Sequence, residues 1–361
     1  MNAPERALPV PARSGLHFAP LSLESLGSFD AVIDVRSPAE FAEDHLPGAI
    51  NLPVLNDAER VQVGTLYKQS SPFAAKKMGA AIVARNIAFH LENTLRDLPK
   101  QWKSLVYCWR GGSRSGAMTH ILRSVGWPAL QLDGGYKVWR SQVLGDLETL
   151  PSLFQYRVIC GRTGSGKSRL LDAMAKNDQQ VLDLEKLAAH KGSVLGDLPG
   201  EPQPSQKLFD SSIWVALSRF DPARPVYVEA ESKKIGSLQV PDALIQRMRN
   251  SACHEVSLAA ELRVRLLREE YAHLMTDREF LFGRLDCLKE LHSRERIERW
   301  KSLALQGQWD AFVTDMLVEH YDPAYMRSMF RNYFQAANAS QLLVDDISAQ
   351  GFLNAAKMLP T

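Results

Sequence analysis

Eight residues constrain this chain more than any other stretch: Gly161-Arg162-Thr163-Gly164-Ser165-Gly166-Lys167-Ser168. They fit G-x-x-x-x-G-K-[ST] without a mismatch. A strand-like run, YRVIC at 156–160, precedes them, and a helix-forming run at 169–175 follows. Such a loop works only where a strand hands over to a helix. Its glycines let backbone N–H groups turn inward around phosphate oxygens, and the helix N-terminus adds a positive dipole end. Gly161, Thr163, Gly164, Ser165, Gly166, Lys167 and Ser168 are therefore expected to bind phosphate. Lys167 would sit on the terminal phosphates, and the Ser168 hydroxyl would hold Mg²⁺. Any pyrophosphate-like group satisfies the loop. A carboxylate to share the metal is sought at strand ends, where Asp183, Glu229 and Glu231 lie. Asp183 is taken with Ser168 as the expected pair.

A second loop has the same logic with a different reactive atom. Cys108-Trp109-Arg110-Gly111-Gly112-Ser113-Arg114-Ser115-Gly116 follows the buried-strand pattern LVYC at 105–108 and precedes a helix. A cysteine at the mouth of a ring of N–H groups, at a helix N-terminus and beside arginines, is poised as a thiolate. The same ring can hold an oxyanion or a persulfide-type group. Cys108 is read as the nucleophile, with Trp109, Arg110, Gly111, Gly112, Ser113 and Arg114 forming its anion loop. Cys160, Cys253 and Cys287 read as inert core residues.

Around these loops the chain alternates short apolar runs with helical stretches, which argues for parallel α/β sheets. Residues 1–15 read as a flexible tail, 16–145 as one domain and 146–361 as another, with 146–152 as the linker. AVIDV at 31–35 is a buried strand. Ser37-Pro38-Ala39-Glu40 reads as a helix start. Residues 57–98 are helical in pattern, with a break at Ser70-Ser71-Pro72. In the second half, 181–184, 226–229 and 342–344 are strand candidates, and 258–335 is helix-rich. Leu262, Leu266, Leu267, Tyr271 and Leu274 give that segment an apolar face.

Composition narrows the class. The chain has 361 residues, enough for two domains, with 43 basic and 41 acidic side chains and a net charge of +2. So balanced a charge neither announces nor excludes nucleic acid. The four cysteines are widely separated, with no C-x-x-C, which argues against a zinc site or a disulfide framework. No signal peptide and no apolar run of membrane-spanning length is present. A cytoplasmic, soluble monomer is expected.

The first half resembles a rhodanese domain. The resemblance rests on Asp34-Val35-Arg36, Glu40-Phe41, His45-Leu46-Pro47-Gly48-Ala49-Ile50-Asn51, the Cys108 loop, and Asp133-Gly134-Gly135-Tyr136-Lys137-Val138-Trp139. Rhodaneses carry sulfur as a cysteine persulfide. From Cys108 to Arg114 the loop is one residue longer than in the usual sulfurtransferase. That length resembles the rhodanese-like phosphatases, but Tyr107 stands where those carry His. The order of parts goes further. Val63-Gly64-Thr65-Leu66-Tyr67-Lys68-Gln69, the glycine-rich loop, Asp183-Leu184-Glu185, His190-Lys191-Gly192-Ser193 and Glu229-Ala230-Glu231-Ser232-Lys233-Lys234-Ile235-Gly236 together resemble the tRNA 2-selenouridine synthase family over about 16–350.

That resemblance implies an α/β enzyme with a rhodanese-like domain, a P-loop NTPase-like domain and a helix-rich C-terminal segment. It implies replacement of the 2-thio sulfur of a wobble uridine by selenium. The sulfur is first alkylated from geranyl diphosphate, and selenium from selenophosphate then displaces the S-geranyl group, with Cys108 as carrier. No organic prosthetic group is implied. The tRNA would need cations, for which Lys233, Lys234, Arg263, Arg265 and Arg268 are candidates, with Arg294, Arg296 and Arg299 beyond them. Most have acidic neighbours, so ion-paired helix faces are the competing reading. Three other functions stay open: a kinase-like ATP-using domain fused to a sulfur relay, a non-catalytic docking module and a cysteine phosphatase.

Overall fold

The computed structural model describes residues 21–360; the expected tail at 1–15 lies outside them. The chain divides into two compact units, 1–142 and 143–361.

The first unit is built on four parallel strands: β1 (Ala31–Asp34), β2 (Ala49–Asn51), β3 (Ser104–Tyr107) and β4 (Ala129–Gln131), in the order β2-β1-β3-β4. Strands β1 and β3 are central, and β3 is buried along its whole length. That is why both read as continuous apolar runs rather than alternating ones. Ile33, Val35, Val106, Met118 and Leu122 fill one core cluster. Helix Pro38–Glu43 begins as expected: Pro38 stands in its first turn, and the Ser37 N–H donates to the Glu40 carboxylate at 3.2 Å. Between β2 and β3 the chain makes a helical hairpin, Asp57–Gln69 and Pro72–Glu92. The break falls where Ser71 caps the second helix and Pro72 starts it. Gly79 lets the two helices close up, since a Cβ there would lie 3.3 Å from Val63.

The second unit carries a five-stranded parallel sheet. Its strands are β5 (Tyr156–Cys160), β6 (Gln180–Leu182), β7 (Val226–Glu229), β10 (Ala252–Ser257) and β11 (Ser340–Leu343), in the order β11-β10-β5-β7-β6. A short antiparallel hairpin, β8 (Lys234–Ile235) with β9 (Leu238–Gln239), lies outside that sheet. Strand β5 is central, so the loop leaving its C-terminal end sits where ligands bind in open α/β sheets. Residues 260–332 form successive helices with their own core of Leu274, Leu281, Leu285, Ile297, Trp300 and Phe312. The stretch expected as a linker at 146–152 is instead the end of helix Gly135–Thr149 and a 3₁₀ turn, Leu150–Leu153. Leu147 and Pro151 are buried, and burial holds the segment in place. No described helix is long and apolar enough to cross a membrane.

Candidate functional site

Cys108 follows β3 directly, and helix Ser113–Val125 starts five residues later. Its Sγ lies 3.1 Å from the Ser115 hydroxyl. Burial alone would push the thiol up. The Ser115 hydroxyl, the N–H groups of Ser115 and Gly112 and the Arg114 charge outweigh it and hold the thiol below its ordinary value. The loop keeps its shape because of two glycines, Gly135 opposite it and Gly111 within it. A Cβ on Gly135, at φ +56°, would stand 2.2 Å from the Cys108 carbonyl oxygen, and one on Gly111, at φ +65°, would stand 2.5 Å from that of Leu132. Gln131 ties the loop down: its Nε2 donates to the carbonyls of Gly111 and Gly112 and to the Ser115 hydroxyl. Sequence reasoning passed over Gln131, whose only signal was its place at the end of β4.

The arginines of this loop part company. Arg114 bonds Glu40 at 2.7 Å, and Arg60 approaches the same carboxylate at 3.7 Å. Arg110 and Ser113 are exposed. Trp109 is partly exposed, with its ring centroid 5.3 Å from that of Tyr136. Beneath the loop, buried Arg36 binds Asp34 at 2.6 Å and the Asp44 carbonyl at 2.6 Å, and stacks over Tyr136. Tyr136 in turn donates to the Asp44 carboxylate at 2.8 Å. The Asp34-Val35-Arg36 and Gly134-Gly135-Tyr136 segments thus meet in one buried network that fixes the floor of the cysteine site.

In the second unit Gly161, Gly164 and Gly166 take positive φ values of 150°, 78° and 82°. A Cβ on Gly166 would collide with Phe352, and one on Gly164 with Leu267. Helix Lys167–Lys176 starts at the last glycine. Lys167 Nζ donates to the Gly161 carbonyl at 2.9 Å, and the Tyr325 hydroxyl accepts the Gly161 N–H at 2.6 Å. Thr163, Gly164, Gly166, Lys167 and Ser168 line a cavity of about 320 Å³; Gly161 does not line it, and Ser165 is buried behind.

Three carboxylates converge on this cavity: Glu185, Glu229 and Glu231, with ligand atoms all within 4.8 Å of one another. Ser168 Oγ lies 3.3 Å from Glu185. Both oxygens of Glu229 are buried without a hydrogen-bond partner. Burial first pushes Glu185 up to about 7 and Glu231 to about 8, and raises Glu229 well above the ordinary range; Asp183 adds repulsion at all three, Glu185 adds it at Glu229 and Glu231, and Lys167 opposes the rise. An orphaned buried carboxylate beside two others and a hydroxyl is a hard-oxygen donor set that fits Mg²⁺. Asp183, expected to serve with Ser168, is placed otherwise. It caps helix Leu184–Leu187, its Oδ1 accepting the Lys186 N–H at 2.9 Å. Glu185, two residues on, is the carboxylate beside Ser168. The His190-Lys191-Gly192-Ser193 segment passes over the cluster so closely that a Cβ on Gly192 would stand 2.8 Å from Glu185.

A second, apolar cavity of about 60 Å³ shares Thr163, Leu267, Tyr271 and Tyr321 with the first, and continues among Leu274, Met275, Phe312 and Met316.

The basic residues expected to meet RNA are mostly engaged. Arg263 is buried, donates to the Thr163 carbonyl at 2.7 Å and pairs with Asp322 at 2.6 Å. It therefore shapes the glycine-rich loop and cannot face a polyanion. Arg265 pairs with Glu269, Arg268 with Asp310 and Lys233 with Asp242. Lys234 is exposed on β8.

Known proteins bear on both units. Residues 22–142 match the rhodanese-like domain family, and residues 154–299 match the tRNA 2-selenouridine synthase AAA domain. The chain is 31% identical to the tRNA 2-selenouridine synthase of Alcanivorax borkumensis, across 90% of this chain and 95% of that one. It is 32% identical to that of Marinobacter nauticus, across 81% and 87%. With the Nitrosomonas europaea protein of the same name it shares 38% identity over 66% of this chain and 63% of that one. A rhodanese-like cysteine loop, a glycine-rich loop before a helix and near full-length likeness agree: the chain belongs to the tRNA 2-selenouridine synthase family.

Proposed function

We propose that the enzyme converts a wobble 2-thiouridine to 2-selenouridine in two steps, S-geranylation from geranyl diphosphate and then selenium transfer from selenophosphate through Cys108. One observation carries the geranyl step. The phosphate cavity and the apolar cavity adjoin, with Thr163, Leu267, Tyr271 and Tyr321 lining both, so a hydrocarbon tail on a diphosphate held at Lys167 would reach Leu274 and Phe312 if those shared side chains part.

The chain's own groups divide the work. In the alkylation the C–O bond of geranyl diphosphate breaks, an S–C bond forms on the thiouridine, and diphosphate leaves. Backbone N–H groups and Lys167 absorb the charge that develops on it. Mg²⁺, held by Ser168, Glu185, Glu229 and Glu231, would supply further neutralisation of the diphosphate. A thiocarbonyl sulfur leaves poorly; once alkylated it can leave as geranyl thiolate when the Cys108 thiolate attacks C2. The selenium of selenophosphate then displaces Cys108 from C2, and water splits the Se–P bond and releases phosphate, so selenium enters through Cys108 with no change of oxidation state.

Nucleoside analysis tests the reading. Thiolated tRNA incubated with the protein and geranyl diphosphate is expected to give S-geranyl-2-thiouridine, and adding selenophosphate should give 2-selenouridine. Selenouridine formed at full rate without geranyl diphosphate would overturn the two-step order. Rapid ATP turnover independent of tRNA, with no prenyl transfer, would favour the ATP-using alternative.

A further inference from the structure

We propose that the helical hairpin Asp57–Gln69/Pro72–Glu92 of the first unit is the docking surface for the tRNA. The inference rests on tRNA being the substrate, and it moves the RNA contact from the arginines of the second unit to this hairpin.

Charge is the first argument. Residues 60–91 contain Arg60, Lys68, Lys76, Lys77 and Arg85, and no Asp or Glu. The hairpin's three acidic residues, Asp57, Glu59 and Glu92, stand at its base, and outside 57–92 the chain has 38 basic and 38 acidic residues. The net charge of +2 is therefore carried by this one element. Lys68, Lys76, Lys77 and Arg85 are exposed and form no ion pair among the described residues, unlike Arg263, Arg265 and Arg268. Cations left unpaired on an otherwise charge-balanced protein are what phosphate neutralisation requires.

The second argument is the company they keep. Tyr67, Phe73 and Phe89 are 53%, 76% and 59% exposed. Tyr67 and Phe73 flank the turn at Ser70-Ser71-Pro72, within a helical turn or so of Lys68, Lys76 and Lys77. Aromatic faces among cations suit a single-stranded loop, whose unstacked bases find platforms while its phosphates find charge. The anticodon loop that carries a wobble uridine is such a segment. An acidic protein would satisfy the cations but leave the aromatic rings unused.

The third argument is position. Arg60 and Arg114 share the Glu40 carboxylate, and the Asp57 carboxylate accepts the Ala39 N–H at 3.1 Å. The base of the hairpin is thereby bound to the rim of the Cys108 loop, where selenium is handed over.

The test measures binding of deacylated tRNA to the full chain as a function of salt. Wild type is expected to show a steep dependence of log K on log[salt]. Lys76→Glu with Lys77→Glu should weaken binding by roughly tenfold or more and flatten the slope by about 0.7–0.9 per lost contact. Phe73→Ala should weaken binding about fivefold or more with the slope unchanged. Arg265→Ala with Arg268→Ala should change neither. If the charge reversals lower the unfolding midpoint, Lys76→Gln with Lys77→Gln is read in their place, since the aliphatic stems and the helix remain. Wild-type affinity and slope in the lysine variants would overturn the docking surface, as would an effect confined to the arginine pair. A wild-type protein that does not retain tRNA would overturn the substrate reading itself.

Discussion

At Cys108 a buried thiol is held below its ordinary pKa. Burial works against the thiolate, so its stabilisation must come from donors placed at the sulfur, and Ser115 supplies two of them. Ser115→Ala is therefore expected to raise the Cys108 pKa. A thiol whose pKa rises is less ionised at neutral pH, so the iodoacetamide reaction should slow at pH 7 and its onset shift to higher pH. The pH profile of alkylation checks this, and an unchanged profile would remove Ser115 from the site. Cys108→Ala should abolish selenium transfer and leave S-geranyl-2-thiouridine accumulating, as nucleoside analysis would show. Lys167→Ala removes the mobile charge at the leaving diphosphate and should slow geranylation on the order of 10²–10³-fold. The sequence made both residues legible because each motif carries its own mechanism. Glu185 and Gln131 were not legible. Their roles depend on which strand ends meet in space, and no local spacing encodes that.

At the scale of elements, buried parallel strands were the easiest to see, since both of their faces select apolar residues. Strand β10 escaped because Ala252-Cys253-His254-Glu255 carries polar groups that the fold satisfies elsewhere. His254 finds the Ser340 hydroxyl at 2.6 Å, across the β10–β11 pair. The carboxylate cluster near the ends of β6 and β7 was half legible: Glu229 and Glu231 stood out, while Asp183 caps a helix and Glu185 stands beside them in space. The cluster makes its own prediction. Glu185 at about 7 and Glu231 at about 8 hold protons that the unfolded chain has already released near its ordinary value of 4.5. The folded state then binds more protons than the unfolded state, so stability falls as pH rises from about 4.5 to 8. A divalent cation that binds the ionised carboxylates reverses the loss. Mg²⁺ should therefore raise the unfolding midpoint more at pH 8 than at pH 5, and Glu229→Gln with Glu231→Gln should erase that difference. Equal midpoint shifts at both pH values, by calorimetry, would mean the cation binds elsewhere.

At the scale of the whole molecule, each compact unit holds one complete anion loop at the C-terminal end of a central strand, with its own glycines and its own charge. Neither loop borrows a catalytic side chain from the other unit in the proposed chemistry. In that chemistry the species passed between the steps, an S-geranyl uridine, is covalent and needs neither loop to hold it together. Chemistry split in this way permits the steps to be carried by different molecules. A Cys108→Ala protein retains the phosphate loop and should alkylate tRNA without finishing it. A Lys167→Ala protein retains the cysteine loop and should finish tRNA that another molecule has alkylated. Mixed together with geranyl diphosphate and selenophosphate, the two variants are expected to form 2-selenouridine that neither forms alone, at a rate rising with the concentration of either one. The measurement is selenouridine content against time in the mixture and in each variant separately. Geranylated tRNA that builds up in the mixture and is never converted would mean that both steps must occur in one binding event, with the alkylated uridine passed from loop to loop on the same protein.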